Sequence, residues 1–90
     1  MATLNESKFN ALTALGYTSG TLNNREYAWL AAQTSATGIT LNDQWMKLMV
    51  ALGYTTGTLN DRQMAAWLAR GYTGNWSERA KAFWTAGGTF

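Results

Sequence analysis

Five carboxylates are the side chains best suited to acid–base chemistry in this 90-residue chain, which has no histidine or cysteine. Four of them stand at the same place in a repeated tetrapeptide: Glu6, Asp43, Asp61 and Glu78. The fifth, Glu26, lies three residues after Asn23 of another copy. Acids in such places cap helix N-termini. The usual nucleophile–base pairs and metal-ligand spacings are missing. We therefore predict a non-enzymatic protein with no catalytic, cofactor or metal site.

The repeated tetrapeptide also predicts the helices in which these acids lie. Thr3-Leu4-Asn5-Glu6 recurs three times and then once in altered form, at intervals of 18, 19, 18 and 17 residues: 21–24, 40–43, 58–61 and 75–78. Each copy is typical of a helix start. Either Thr or Asn can be the N-cap. With Asn as the cap, each Leu would instead pack as a hydrophobic staple, for example Leu4 on Phe9.

A longer repeat of about 37 residues relates the two halves of the chain. Residues 14–23 match 51–60 almost letter for letter, and Ala28-Trp29-Leu30-Ala31 matches 66–69. Gly16, Gly53 and Gly71 precede Tyr and mark helix ends, whereas the second helix lacks this signal and should have a longer or frayed end. We predict an all-α fold of five short helices as stacked αα-hairpins, either a compact bundle or a short solenoid. Residues 1–86 would form one domain and 87–90 a flexible C-terminal tail.

Composition excludes several classes of partner. Hydrophobic residues make up 47% of the chain and charged residues only 13%, a surface that suits a protein docked on others. The net charge is +2 and the basic residues are scattered, which disfavours nucleic acid. The first residues have no apolar stretch typical of a secretory signal, and no apolar run reaches the ~20 residues of a membrane span. We expect no nucleic-acid and no membrane partner.

The candidate binding residues are aromatic and basic. Five tryptophans either fill a small core or serve as exposed anchors, and Trp76, which replaces the repeated Leu, is the first candidate anchor, with Phe90 the second. Arg25, Arg62 and Arg79 hold comparable places in three first turns, where the helix dipole does not favour a cation. They are either solvated or paired locally, or they form a row that faces a partner.

The segment Leu52–Gln63 (LGYTTGTLNDRQ) and its copies resemble short "LGYTG-(S/T)LND" helical repeats of small virion proteins of tailed bacteriophages. The resemblance spans Thr3 to Trp84. It implies a virion-located structural protein (head decoration, neck, tail or fibre-associated) that docks in multiple copies on capsid, neck or tail proteins. It carries over no catalytic residues.

The alternative is a host-surface or peptidoglycan-binding module. Met46–Tyr54 followed by a turn and a helix looks like the start of a peptidoglycan-binding helical repeat, although the Asp-Gly turn of that family is missing. This alternative predicts a groove lined by Tyr17, Tyr54 and exposed tryptophans. A nucleic-acid binder ranks third.

Overall fold

The computed structural model describes residues 2–90, so Met1, the first residue of the predicted domain, lies outside the described part. That part contains five α-helices and no strand, which confirms the all-α prediction: Leu4–Ala14 (α1), Leu22–Thr34 (α2), Leu41–Ala51 (α3), Leu59–Ala69 (α4) and Trp76–Thr85 (α5). None of these helices combines the length and the apolarity that a membrane crossing requires.

The helix starts follow the threonine alternative. Thr3, Thr21, Thr40 and Thr58 are the N-caps of α1 to α4, and Asn75 takes that place in α5. Each cap oxygen accepts a hydrogen bond from the N–H of the third helical residue, at 2.8–3.2 Å. In α1, α4 and α5 the carboxylate at that third position accepts a hydrogen bond from the N–H of the cap residue, which completes a capping box. Each such cap contributes about 1 kcal/mol.

Three helix ends confirm the prediction from glycine. Gly16, Gly53 and Gly71 have φ values of 101°, 96° and 92°, a region that glycine enters without steric cost. The N–H of the tyrosine after each glycine donates a hydrogen bond to a carbonyl of the preceding helix at 2.9–3.0 Å, as in a Schellman motif. The second helix is the longest at 13 residues and ends at Thr34 with Ser35 as its C-cap, in agreement with the longer end that the missing glycine signal predicts.

The helices form a closed ring. Each packs on its neighbours along the chain, and α1 also packs on α5. The Cα atoms fill a flat disc of 34 × 33 × 16 Å. The predicted stacking of hairpins is not confirmed, because a stack would leave the first and last helices apart. The compact alternative is the one present.

The centre of the ring is aromatic. Trp29, Trp45, Trp67 and Trp84 are at most 4% exposed, and Phe83 joins them. Their rings meet mostly edge to face or tilted; Trp29 and Trp84, for example, have centroids 5.0 Å apart. Such pairs contribute roughly 0.5–1.5 kcal/mol each beyond area burial. Four of the five tryptophans therefore fill the core rather than serve as exposed anchors.

Two of the last four residues, for which the sequence predicts a flexible tail, lie against this core: Gly88 and Phe90. Gly87 and Gly88 both have positive φ, and the Gly88 N–H donates to the Phe83 carbonyl at 3.1 Å. Gly88 is buried so closely on Trp84 that a Cβ there would lie 2.5 Å from its ring. This turn directs the chain back towards the aromatic core. The ring centroid of the half-buried Phe90 lies 4.5 Å from that of Phe83.

Candidate functional site

A cleft of about 230 Å³ opens where the first turns of four helices converge beside α1. The residues around it hold recurring helix positions. First residues are Leu41, Leu59 and Trp76, and second residues are Asn23, Asn42 and Asn60. Fifth residues are Lys8, Glu26, Trp45, Gln63 and Ala80, and ninth residues are Trp67 and Trp84. The cleft is thus built from the same stripe of successive repeats.

One wall of the cleft carries a buried ion pair. Lys8 Nζ lies 2.9 Å from Glu26 Oε1, and Trp45 Nε1 donates to Glu26 Oε2 at 2.6 Å. Glu26 is only 4% exposed, so both carboxylate oxygens need these partners to offset desolvation. The pair joins α1, α2 and α3, and its two charges cancel inside the cleft.

The opposite wall is neutral. Trp76 Nε1 donates to Gln63 Oε1 at 2.9 Å, which joins α5 to α4. Trp76 is half-buried here, while Gln63 is buried. Next to them, the buried Trp67 Nε1 finds no acceptor among residues 2–90. This wall therefore presents an indole that is held in place by a hydrogen bond and carries no charge.

The rim of the cleft has three asparagines with no structural task. Asn23, Asn42 and Asn60 are exposed, and their side chains make no hydrogen bond to any of residues 2–90. In the same tetrapeptides the threonine caps the helix and the leucine packs on the core. Asn5 holds the matching position in α1 but lies outside the cleft.

The three arginines predicted to bind a partner form hydrogen bonds to the loops that precede their helices. The Nε of Arg25, Arg62 and Arg79 donates to the carbonyl of the glycine five residues earlier, at 3.1, 3.0 and 2.7 Å. Arg79 Nη1 also donates to the Met64 carbonyl at 2.9 Å, and Arg25 lies over the Phe9 ring. Local pairing is thus the arrangement present, and each arginine joins a helix to the segment before it.

The other two predicted contact residues lie apart from these loops. Trp76 belongs to the cleft. Phe90 packs on Trp29, Trp45 and Phe83 at the aromatic core. The structure therefore places Trp76 at the cleft, Phe90 at the core and the three arginines in first helical turns that bond to the preceding loops.

Sequence reasoning missed three buried polar residues that make contacts between segments: Glu26, Gln44 and Gln63. Gln44 takes the place in α3 that arginine holds in α2, α4 and α5, and its Nε2 donates to the Ala36 carbonyl at 2.7 Å. Glu26 received only a capping interpretation. The signal for Glu26 was its position, because it is the one acid in the sequence outside the repeated third helical position.

Two wider depressions lie elsewhere. A groove of about 690 Å³ between the end of α2 and α3 is lined largely by apolar side chains, among them Ile39, Met46 and Val50. A second, of about 430 Å³, lies between α1 and α5. Within residues 2–90 no group of three or more acidic side chains has the geometry of a metal site.

The comparisons with known proteins add no relative. The chain matches no protein-family model, no curated protein and no solved structure.

Proposed function

We propose that this protein is a non-enzymatic structural component of a tailed-phage virion, in a head-decoration, neck, tail or fibre-associated position, that docks on other virion proteins. The repeated LGYTTGTLND-type segment supports the virion context by resemblance. The observation that carries the docking role is a set of exposed apolar side chains at matching helix positions.

Val50 and Leu68 are both the tenth residue of their helices, α3 and α4, and remain 48% and 51% exposed. Leu15 and Leu52 both follow the last helical residue, of α1 and α3, and are 39% and 38% exposed. Full burial of such a side chain contributes roughly 1.5–3 kcal/mol.

Repetition in a particle strengthens weak contacts. Closed symmetry in the particle would present each docking site several times. Copies held on one assembly gain avidity without any new contact. A small number of apolar contacts per copy therefore suffices for stable attachment.

The alternative of a host-surface module is less well supported in the form that the sequence suggested. Tyr17 and Tyr54 are half-buried and pack on the core beside their helix ends. Neither tyrosine lines the cleft or the two wider depressions. The exposed apolar positions on α3 and α4 favour docking on protein instead.

Quantitative mass spectrometry of particles from the native source tests this proposal. We expect the chain at a fixed ratio to a capsid or tail protein. Val50→Asp with Leu68→Asp should reduce its incorporation at least tenfold, whereas Ala65→Asp, at an exposed position of α4, should leave it unchanged. Absence from particles, with recovery free or on cell walls, would refute the virion role.

A further inference from the structure

The three asparagines on the rim of the cleft, Asn23, Asn42 and Asn60, make no contact that the fold needs. Around the cleft, Thr caps α2, α3 and α4 and Leu packs on the core, but the asparagine that follows Leu forms no side-chain hydrogen bond with any of residues 2–90. Asparagine is also a weaker helix former than alanine or glutamate. Asn23, Asn42 and Asn60 surround one opening, and the buried Trp67 Nε1 that lines the same opening has no acceptor among residues 2–90. These unpartnered groups together point to a ligand.

We propose that this cleft binds a neutral, polyhydroxylated ring, the terminal or branching sugar unit of a glycan. Each rim amide offers both a donor and an acceptor, which matches vicinal hydroxyl groups. Trp76 lines the same cleft, and its bond to Gln63 fixes the indole on which the C–H face of a sugar ring can rest.

The charges of the cleft select a neutral ligand over an anion. Helix N-termini attract anions in general. Here the first turns of α3, α4 and α5 already contain Asp43, Asp61 and Glu78. On the α2 side, Lys8 is neutralised by Glu26 at 2.9 Å. The site therefore has hydrogen-bonding capacity without an unpaired positive charge.

The size of the cleft restricts the ligand to one small ring. Its volume of about 230 Å³ lies below the roughly 300 Å³ at which typical ligand pockets begin. An extended peptide needs a longer groove than this compact opening. The inference is independent of the docking proposal, because the cleft shares no residue with the exposed positions Val50, Leu68, Leu15 and Leu52.

The test follows the side-chain amide and indole N–H signals of ¹⁵N-labelled protein by NMR. The probes are two neutral sugars, chitotetraose and maltotetraose, and inorganic phosphate as the anionic probe. We expect one sugar at millimolar concentration to shift the signals of Asn23, Asn42, Asn60 and Trp76. Which of the two binds distinguishes an amino-sugar source, such as a cell-wall glycan, from a hexose source.

The variants change exposed residues, so that a loss of binding does not come from a loss of folding. Asn23→Ala with Asn42→Ala and Asn60→Ala should weaken binding at least tenfold, at about threefold or more per lost amide. Asn5→Ala, at the matching position outside the cleft, should leave affinity unchanged. The proposal is overturned if neither sugar shifts these signals, if phosphate alone does so, or if the triple variant binds as well as the parent.

Discussion

Two contacts between consecutive helices, which we call the α2–α3 joint and the α4–α5 joint, use an acceptor at the same helix position but with different chemistry. In both, the fifth residue of the earlier helix accepts a hydrogen bond from a tryptophan of the next helix. Glu26 accepts from Trp45 at 2.6 Å and also holds Lys8, whereas Gln63 accepts from Trp76 at 2.9 Å without any charge.

The loops at the two joints also differ, but here it is the α4–α5 joint that uses a charged side chain. The α4–α5 loop turns on two glycines with positive φ and is fastened by Arg79, which donates to the Gly74 and Met64 carbonyls. The α2–α3 loop begins at Ser35, a non-glycine residue with φ 57°, and has Gln44 where the arginine would stand. The α2–α3 joint is thus held mainly by the buried contacts of Glu26, whereas the α4–α5 joint is also held by the bonds of Arg79 to its loop.

The largest effect should come from removing the charge at the first joint. Glu26→Ala leaves Lys8 unpaired with 15% of its side chain exposed and deprives Trp45 of its acceptor. We expect a loss of about 3 kcal/mol in the free energy of unfolding, at the low end for a broken buried pair because water reaches Lys8. Gln63→Ala should cost only about 1–2 kcal/mol. Urea unfolding followed by circular dichroism measures both.

A double variant separates the charge from the packing at this joint. Lys8→Met with Glu26→Met replaces the ion pair by apolar side chains and should recover part of the loss, because no uncompensated charge stays buried while Trp45 Nε1 still lacks its acceptor. Asp43→Ala, at an exposed first-turn position of α3, serves as the control and should cost about 1 kcal/mol or less. Equal losses for Glu26→Ala and Gln63→Ala would show that the charge adds nothing to the first joint.

An intermediate effect should come from the loop arginine of the second joint. Arg79→Met removes two bonds to carbonyls, one to Gly74 and one to Met64, and should lower the free energy of unfolding by about 1.5–2 kcal/mol. Arg62→Met removes the single bond to Gly57 and should cost about 1 kcal/mol. Calorimetric melting of both variants measures the difference, with the exposed Lys47→Met as the reference. A larger loss at Arg62 would contradict this ranking.

Local signals made the helices of this chain predictable. Thr caps, first-turn acids and glycines before tyrosine act within a few residues of themselves, so the repeat predicted five helices and most of their ends. The closure of α1 on α5 depends on how successive helices cross, which no short motif encodes. For that reason the sequence suggested stacked hairpins, and the ring appears only in the structure.

The candidate cleft was less predictable than the fold for a related reason. Asn23, Asn42 and Asn60 were visible as repeated letters, but their convergence depends on the ring. Glu26 reads as a capping acid until Lys8 and Trp45 are placed beside it by other helices. Side chains that act between helices leave little trace in a single sequence, even one that repeats.

The smallest effect should have the opposite sign and lie in the irregular loop. Ser35 adopts φ 57°, which costs a non-glycine residue roughly 1–2 kcal/mol, and only its backbone N–H, which donates to the Ala31 carbonyl, is used in the helix end. Ser35→Gly removes that strain but raises the entropy of the unfolded chain by about 0.5–1 kcal/mol. We therefore expect a net gain of about 0.5 kcal/mol in the free energy of unfolding.

Two matched substitutions make this sign informative. Ser19→Gly changes an exposed loop serine without positive φ and should lower the free energy of unfolding by about 0.5 kcal/mol, because only the entropic cost remains. Gly71→Ser, at φ 92° in the α4–α5 loop, should cost about 1–2 kcal/mol. If Ser35→Gly destabilises as much as Ser19→Gly, the left-handed serine carries no strain. The α2–α3 loop would then differ from the α4–α5 loop in having Gln44, which donates to the Ala36 carbonyl, in place of the arginine.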